Sequence, residues 1–308
     1  MSRRKRRKKE KSRNKLAFGI IAVAFILILL AYYLFFLQSN QTSQPKAAIV
    51  DHLSFKEETK NETFKNSSIG ILKTAGFEVT YYPGEGVTVD FFRNLVSQDY
   101  GVIVLRVHSA IISGLGDNKS LGLFTSEIED ESKYNTPSAP YYDDIYNRRI
   151  VRAYFPEDPT QYFAIAPGFI EKYGNFHDAL IIMMGCDGLK YGKTAEAFIK
   201  KGAKVCIGWN GLVSTSHTDR ATSCLLQHLA QGNTLETAVE KTMNEVGPDE
   251  MYFKDQGYNS TLEYYPTSAG NYTVKPAPGV TNDEIAKANT FWTRKKRETY
   301  PLKNVALC

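Results

Sequence analysis

The 308-residue sequence predicts an α/β fold built on a mostly parallel central sheet. Short runs rich in Val, Ile and Ala alternate with segments of helical length, the pattern of strands joined by helical crossovers. Two of those runs, Gly101–His108 and Ala179–Cys186, are apolar at nearly every position, as strands buried on both faces are. Gly76, Gly202, Gly232 and Gly247 follow helical segments, where a glycine stops a helix.

Taken in order, Ala47–Leu53 reads as a first strand and Glu62–Ala75 as a helix. Phe77–Tyr82 is a second strand, closed by Pro83-Gly84, and Thr88 is a suitable N-cap for a helix over Val89–Ser97. The third strand runs from Gly101 to His108. Residues 111–177 break the alternation with β-like runs at Leu121–Ile128, Arg149–Phe155 and Gln161–Ala166. They read as an antiparallel insertion at the C-terminal edge of the sheet, where a lid or substrate platform grows. Pro167–Tyr173 reads as a short helix leading back to a fourth strand ending at Cys186. Helix Thr194–Lys201, strand Ala203–Trp209 and helices Thr215–Gln231 and Leu235–Val246 follow. The α/β domain spans 47–250. The extension 251–308 shows no periodic core, with one possible strand near Tyr272–Val274.

The N-terminus predicts a membrane anchor. A basic tail, 1–15, holds ten Lys or Arg against one Glu from Arg3 to Lys15, and the uncharged stretch Leu16–Leu37 follows. About 20 apolar residues span a bilayer, and a cleavable signal peptide has a shorter apolar core. Tyr32, Tyr33, Phe35 and Phe36 suit an interfacial aromatic belt. The positive-inside rule keeps the tail in the cytoplasm and places the main domain outside, beyond a polar linker at 38–46. The net charge of +5 is misleading, because the basic cluster contributes +9 and all that follows sums to −4. Hence no nucleic-acid partner is expected. Six Asn-x-Ser/Thr sequons, at Asn40, Asn61, Asn66, Asn118, Asn259 and Asn271, fit a glycosylated exterior face.

The chemistry concentrates at two strand ends. In a parallel sheet, sites form outside the carboxyl ends of the strands. If the third and fourth strands are neighbours, His108 and Cys186 meet in one crevice. An imidazole beside a thiol generates a nucleophilic thiolate, and attack on a peptide carbonyl creates an oxyanion that positioned N–H groups stabilise. The Cys186 backbone N–H and that of Ser109 are the natural donors, with Gly185 and Gly188 allowing a tight turn. His52, His177, His217 and His228 are weaker candidates, although His217 follows the fifth strand and could line the site. Cys206 and Cys224 read as buried thiols. The spacing of Cys186, Cys206, Cys224 and Cys308 matches neither a disulfide framework nor a metal motif, so no metal and no cofactor are expected.

The segment IIMMGCDGL followed by TAEAFIKKGAKVCIGWNGLVS resembles the caspase-like peptidases of clan CD, nearest the CHAT and gingipain-like branch. The resemblance covers about Ala47–Val246. It implies a three-layer α/β/α fold with a mostly parallel central sheet, with His108 as catalytic base and Cys186 as nucleophile. It also implies a substrate pocket from the turn after the fifth strand, here Trp209 to Ser214, including Asn210 and Gly211. Asp187 and Asp219, near the same edge, could select a basic side chain. The family usually has Gly after the His, whereas this chain has Ser109-Ala110. The function so implied is a membrane-anchored cysteine peptidase, or transpeptidase, on extracytoplasmic protein or peptide substrates. Two alternatives stand beside it: a catalytically inactive caspase-like binding module at the cell surface, and a flavodoxin-like ligand-binding domain. The latter lacks a GxGxxG after the first strand and a P-loop.

Overall fold

The structure, a computed structural model, describes residues 25–30, 32, 44–95, 98–113, 119–155 and 158–274. The chain divides into two units, 1–43 and 44–308. In the first, residues 25–30 and 32 are helical, and each side chain from Phe25 to Leu30 is more than half exposed. The tail 1–15 and most of the expected span 16–37 lie outside the described residues, as do Asn40, Asn118 and Cys308. Among the described residues no helix is long and apolar enough to cross a membrane.

The second unit carries ten described strands. The first five are β1 (Lys46–Asp51), β2 (Glu78–Pro83), β3 (Val102–Arg106), β4 (Ser109–Ile111) and β5 (Leu121–Ile128). The rest are β6 (Ile150–Tyr154), β7 (Gln161–Ile165), β8 (Leu180–Met183), β9 (Val205–Trp209) and β10 (Leu262–Tyr265). The helices are α1 (Glu62–Thr74), α2 (Val89–Leu95), α3 (Tyr142–Tyr146) and α4 (Pro167–Tyr173), then α5 (Lys193–Lys200), α6 (Thr215–Ala230), α7 (Leu235–Val246) and α8 (Phe253–Gln256).

The main sheet has the order β10-β9-β8-β3-β1-β2, parallel throughout except for β10 against β9. Strand alternation divides its side chains between two cores. Ile49, Val104, Ile182 and Ile207 pack with α1, α6 and α7 through Phe64, Leu225 and Val239. Val50, Ile103, Ile181 and Cys206 face the other way, toward Phe92 of α2, Phe169 of α4 and Phe198 of α5. Helices therefore cover both faces.

The insertion forms a second, antiparallel sheet of order β4-β5-β7-β6. Its Leu123, Ile150, Phe163 and Ile165 join the second core. The extension contributes more than its composition suggested. β10, rather than Tyr272–Val274, adds the edge strand, with Leu262 opposite Trp209, and Tyr252 and Val274 are buried.

Candidate active site

The order in which strands are laid across the sheet reverses between β1 and β3, which stay parallel. The chain passes from β1 to β2 on one side, then returns to lay β3 on the other. Such a switch point opens a crevice at the carboxyl ends of the strands. β3 and β8 are hydrogen-bonded neighbours in register Leu105↔Met183, and Met184 N–H continues the ladder to Leu105 O at 2.9 Å. Continuing that register brings the His108 and Cys186 main chains side by side. Both residues line one cleft of about 730 Å³, along with Ser109, Asp187 and Leu212. The insertion forms much of the rest, through Ile111, Tyr134, Ile150, Arg148, Arg152 and Tyr154.

Two contacts hold the Cys186 turn against the His108 strand end. Ser109 Oγ donates to Cys186 O at 2.7 Å. Gly185 lies so close that a Cβ there would sit 2.4 Å from Ser109 Oγ and 2.5 Å from Val107 O. A glycine is therefore required for close approach. The left-handed conformation of the turn falls not on a glycine but on Asp187, with φ +56°, and Asp is among the side chains that tolerate it best. Gly188 would meet nothing nearer than 3.4 Å if it carried a Cβ.

Cys186 is 2 % exposed and disulfide-bonded, its partner lying outside the described residues. The cysteine spacing had suggested no such framework. Val213 N–H points at Sγ from 3.3 Å. The His108 ring packs edge-on to Phe124 with centroids 4.4 Å apart and lies 5.0 Å from Phe155. It makes no hydrogen bond to Cys186 Sγ. Burial, and then the Lys56 ammonium, push its pKa down to about 4, so the ring is neutral at pH 7. Lys56 Nζ lies 3.9 Å from the Phe155 centroid and 3.0 Å from Asp158 Oδ2.

Ser109 is buried and its side chain turns toward the Cys186 turn. Its N–H follows from the β4–β5 ladder. Phe124 N–H bonds His108 O and Ile112 N–H bonds Ser120 O, so Ser109, opposite Leu123, occupies a non-hydrogen-bonded position. The Ser109 N–H therefore points away from β5, out of the open edge of β4. The Asp187 N–H, by contrast, is taken by Gly211 O at 2.8 Å.

The expected pocket residues separate. Asp187 lines the cleft and is 3 % exposed, its Oδ1 3.2 Å from Lys190 Nζ. Trp209 has no exposed surface, and its indole N–H donates to Thr218 Oγ1 at 2.9 Å within the core. Asn210 bonds Thr261 and Glu263 of the extension, and Gly211 packs against Ser260 and Gln256. From the 209–214 turn, Leu212 reaches the cleft.

Asp219 lies beneath the site. Arg106, wholly buried at the end of β3, gives Nε to Asp219 Oδ1 and Nη1 to Asp51 Oδ1, each at 2.7 Å. Its Nη2 reaches Asp219 Oδ2 at 2.9 Å and Thr59 O at 2.7 Å. Asn61, one of the sequon residues, donates to Asp219 Oδ2 at 2.8 Å while capping α1. Burial raises the Asp51 pKa despite the guanidinium. The network ties β1, β3, α1 and α6 together two residues before His108.

Among the other histidines, His177 is exposed and pairs with Asp99 at 3.0 Å. His217 Nε2 meets Gly247 O at 3.0 Å, and the ring stacks edge-on to Trp209 outside the cleft. His52, at the end of β1, is completely buried against Phe55 and near His108. Phe155, Arg148 and Arg152 were not legible as site residues, because only the folding of the insertion brings them to the cleft and the His108 ring, and Lys56, just after β1, is drawn in by Phe155 and Asp158 of that insertion.

No protein-family model matches this chain, and no curated protein matches it significantly.

Proposed function

We propose that this chain is a membrane-anchored cysteine peptidase of caspase-like fold, or a transpeptidase using the same acyl-enzyme, acting on proteins outside the cytoplasm. One observation carries the proposal: a cysteine and a histidine at the ends of adjacent parallel strands line one cleft. Cys186 Sγ is the nucleophile. His108, neutral above pH about 4, takes the thiol proton and returns it to the leaving amine. The N–H groups of Ser109 and Cys186 receive the oxyanion. An extended substrate lies along the open edge of β4, with apolar side chains against Ile111 and Leu212. The exposed Phe25–Leu30 run and the basic tail before it support the anchor.

Because Cys186 is disulfide-bonded, its thiol must be released before any acyl transfer. The test is labelling of the full-length chain in detergent by peptidyl acyloxymethyl ketones, with and without reductant. We expect Cys186 to be alkylated only after reduction, and labelling to be lost in Cys186→Ala and His108→Ala. An intact, reduced wild type that never labels and cleaves nothing in a substrate panel overturns the proposal.

A second function has its own support. The buried ring of His108 makes no hydrogen bond to Sγ, and Cys186 is locked in a disulfide. Both features suit a catalytically inactive module that binds partners at the cell surface through the same cleft. Turnover dependent on Cys186 excludes it.

A further inference from the structure

We infer that Cys224, His228 and Glu245 form a zinc-binding site on the helical layer, separate from the cleft. Cys224 and His228 stand at i and i+4 on α6, so one helix face presents both. Glu245, from the last turn of α7, reaches across to them. Its Oε1 lies 2.9 Å from His228 Nε2 and its Oε2 lies 3.2 Å from Cys224 Sγ. One donor atom from each residue falls within 4.8 Å of the other two.

The donor set selects the ion. A thiolate, an imidazole nitrogen and a carboxylate oxygen suit Zn²⁺, whereas calcium and magnesium take oxygen donors. Tetrahedral zinc with bonds of about 2.0–2.3 Å holds its donors about 3.3–3.6 Å apart. The two spacings to Glu245 need to open by only a few tenths of an ångström, while the thiol and imidazole, within 4.8 Å of each other, draw together to the same range. Three protein ligands leave a fourth position for water.

Burial supplies a second, independent observation. Cys224 is 1 % exposed and His228 9 % exposed, and His228 Nδ1 is buried without a hydrogen-bond partner. Both the thiol and Nε2, the ring nitrogen that faces Glu245, are thus shielded from bulk water, which would compete little for a metal bound between them. The Glu245 side chain is 59 % exposed, which gives an ion a path in. Once bound, the ion clamps α7 to α6, whose Leu225 and Ala238 already share a core.

The test is titration of the reduced, metal-stripped full-length chain with Zn²⁺ against a chromophoric chelator, with Co²⁺ as a spectroscopic probe. We expect one equivalent per chain and a thiolate-to-cobalt band in the near ultraviolet. Cys224→Ser should abolish the band. His228→Ala and Glu245→Ala should each weaken zinc affinity at least about tenfold. Glu245→Ala alters an exposed side chain, so the fold should survive, as circular dichroism will report, while the zinc-induced rise in Tm disappears. Cys186→Ser should leave zinc uptake unchanged. Absence of one-to-one uptake overturns the site. So does uptake that survives all three substitutions, or uptake lost with Cys186→Ser and kept with Cys224→Ser.

Discussion

Ser109 Oγ donates a 2.7 Å hydrogen bond to the main-chain carbonyl of Cys186, which joins the two strand ends of the candidate site. The serine that follows His108 thus points into the turn it stabilises. Val107 O and Ser109 Oγ together leave no room for a side chain at 185.

Gly185→Ala should therefore be destabilising by about 1–3 kcal/mol, the range for forcing extra volume into a packed interior. The clash with Ser109 Oγ could be relieved by Ser109→Gly, but the clash with Val107 O is with backbone and stays. Urea unfolding of Gly185→Ala, Ser109→Gly and the double variant checks this. The double variant should remain at least as unstable as Gly185→Ala. Full rescue would mean that the hydroxyl alone sets the spacing.

Arg106 should be among the least replaceable residues of the domain. Its guanidinium is the shared partner of two buried carboxylates, Asp51 and Asp219. Arg106→Leu leaves both acids buried without their counter-charge, and breaking a buried pair in this way costs about 3–5 kcal/mol. The triple variant Arg106→Leu, Asp51→Asn, Asp219→Asn should recover much of that loss. Denaturant midpoints decide. A cost below about 1 kcal/mol for Arg106→Leu would show that the acids simply take up protons at little expense.

How much of this was legible follows from where each signal resides. β3 and β8 are unbroken apolar runs because both of their faces meet helices, so local sequence reports them. The ends of α6 and α7 are marked by Gly232 and Gly247, both at positive φ. β10 has only four residues, LEYY, and is a strand because β9 offers it an edge, which no local pattern records. Arg106 stands in an apolar run and gives no hint of its partners, 55 and 113 residues away. Asp219 looked like a residue of the site's edge for the same reason: helix α6 carries it beneath the sheet end, and only the fold shows which side it faces. The Cys224–His228–Glu245 cluster has no compact motif, because its third member comes from the next helix.

Acid should destabilise the domain well before its carboxylates titrate. His52 and His108 are buried, with pKa values lowered to about 3 and about 4 from an ordinary 6.5. Below pH 6.5 the unfolded chain binds a proton at each ring and the folded chain does not. Stability is therefore full above pH 6.5 and falls as pH drops toward 4, by about 2.7 kcal/mol per pH unit for the two rings at full effect. His217, also lowered by burial, adds a smaller change of the same sign. Urea unfolding at pH 7, 6 and 5 measures the slope, and His52→Phe should reduce it by about half. A slope near zero over this interval would mean that the rings are hydrated in solution.

The charge at the floor of the cleft gives a prediction about specificity, resting on the peptidase proposal. Asp187 is the carboxylate in the cleft nearest to Cys186 in sequence, and Lys190 holds its Oδ1 at 3.2 Å. An acid already paired offers little attraction to a substrate cation. Asp187→Asn should therefore change the preference for Lys or Arg beside the scissile bond by less than about threefold, and Asn tolerates the left-handed backbone found there. Lys190→Ala does the reverse. It leaves the carboxylate buried and unpaired at the cleft, and should raise labelling by basic-side-chain ketone probes over neutral ones on the order of tenfold, about 1.4 kcal/mol. The ratio of second-order labelling rates after reduction is the quantity to measure. If Asp187→Asn abolishes a strong basic preference in the otherwise wild-type chain, Lys190 does not screen Asp187, and the acid itself selects the substrate.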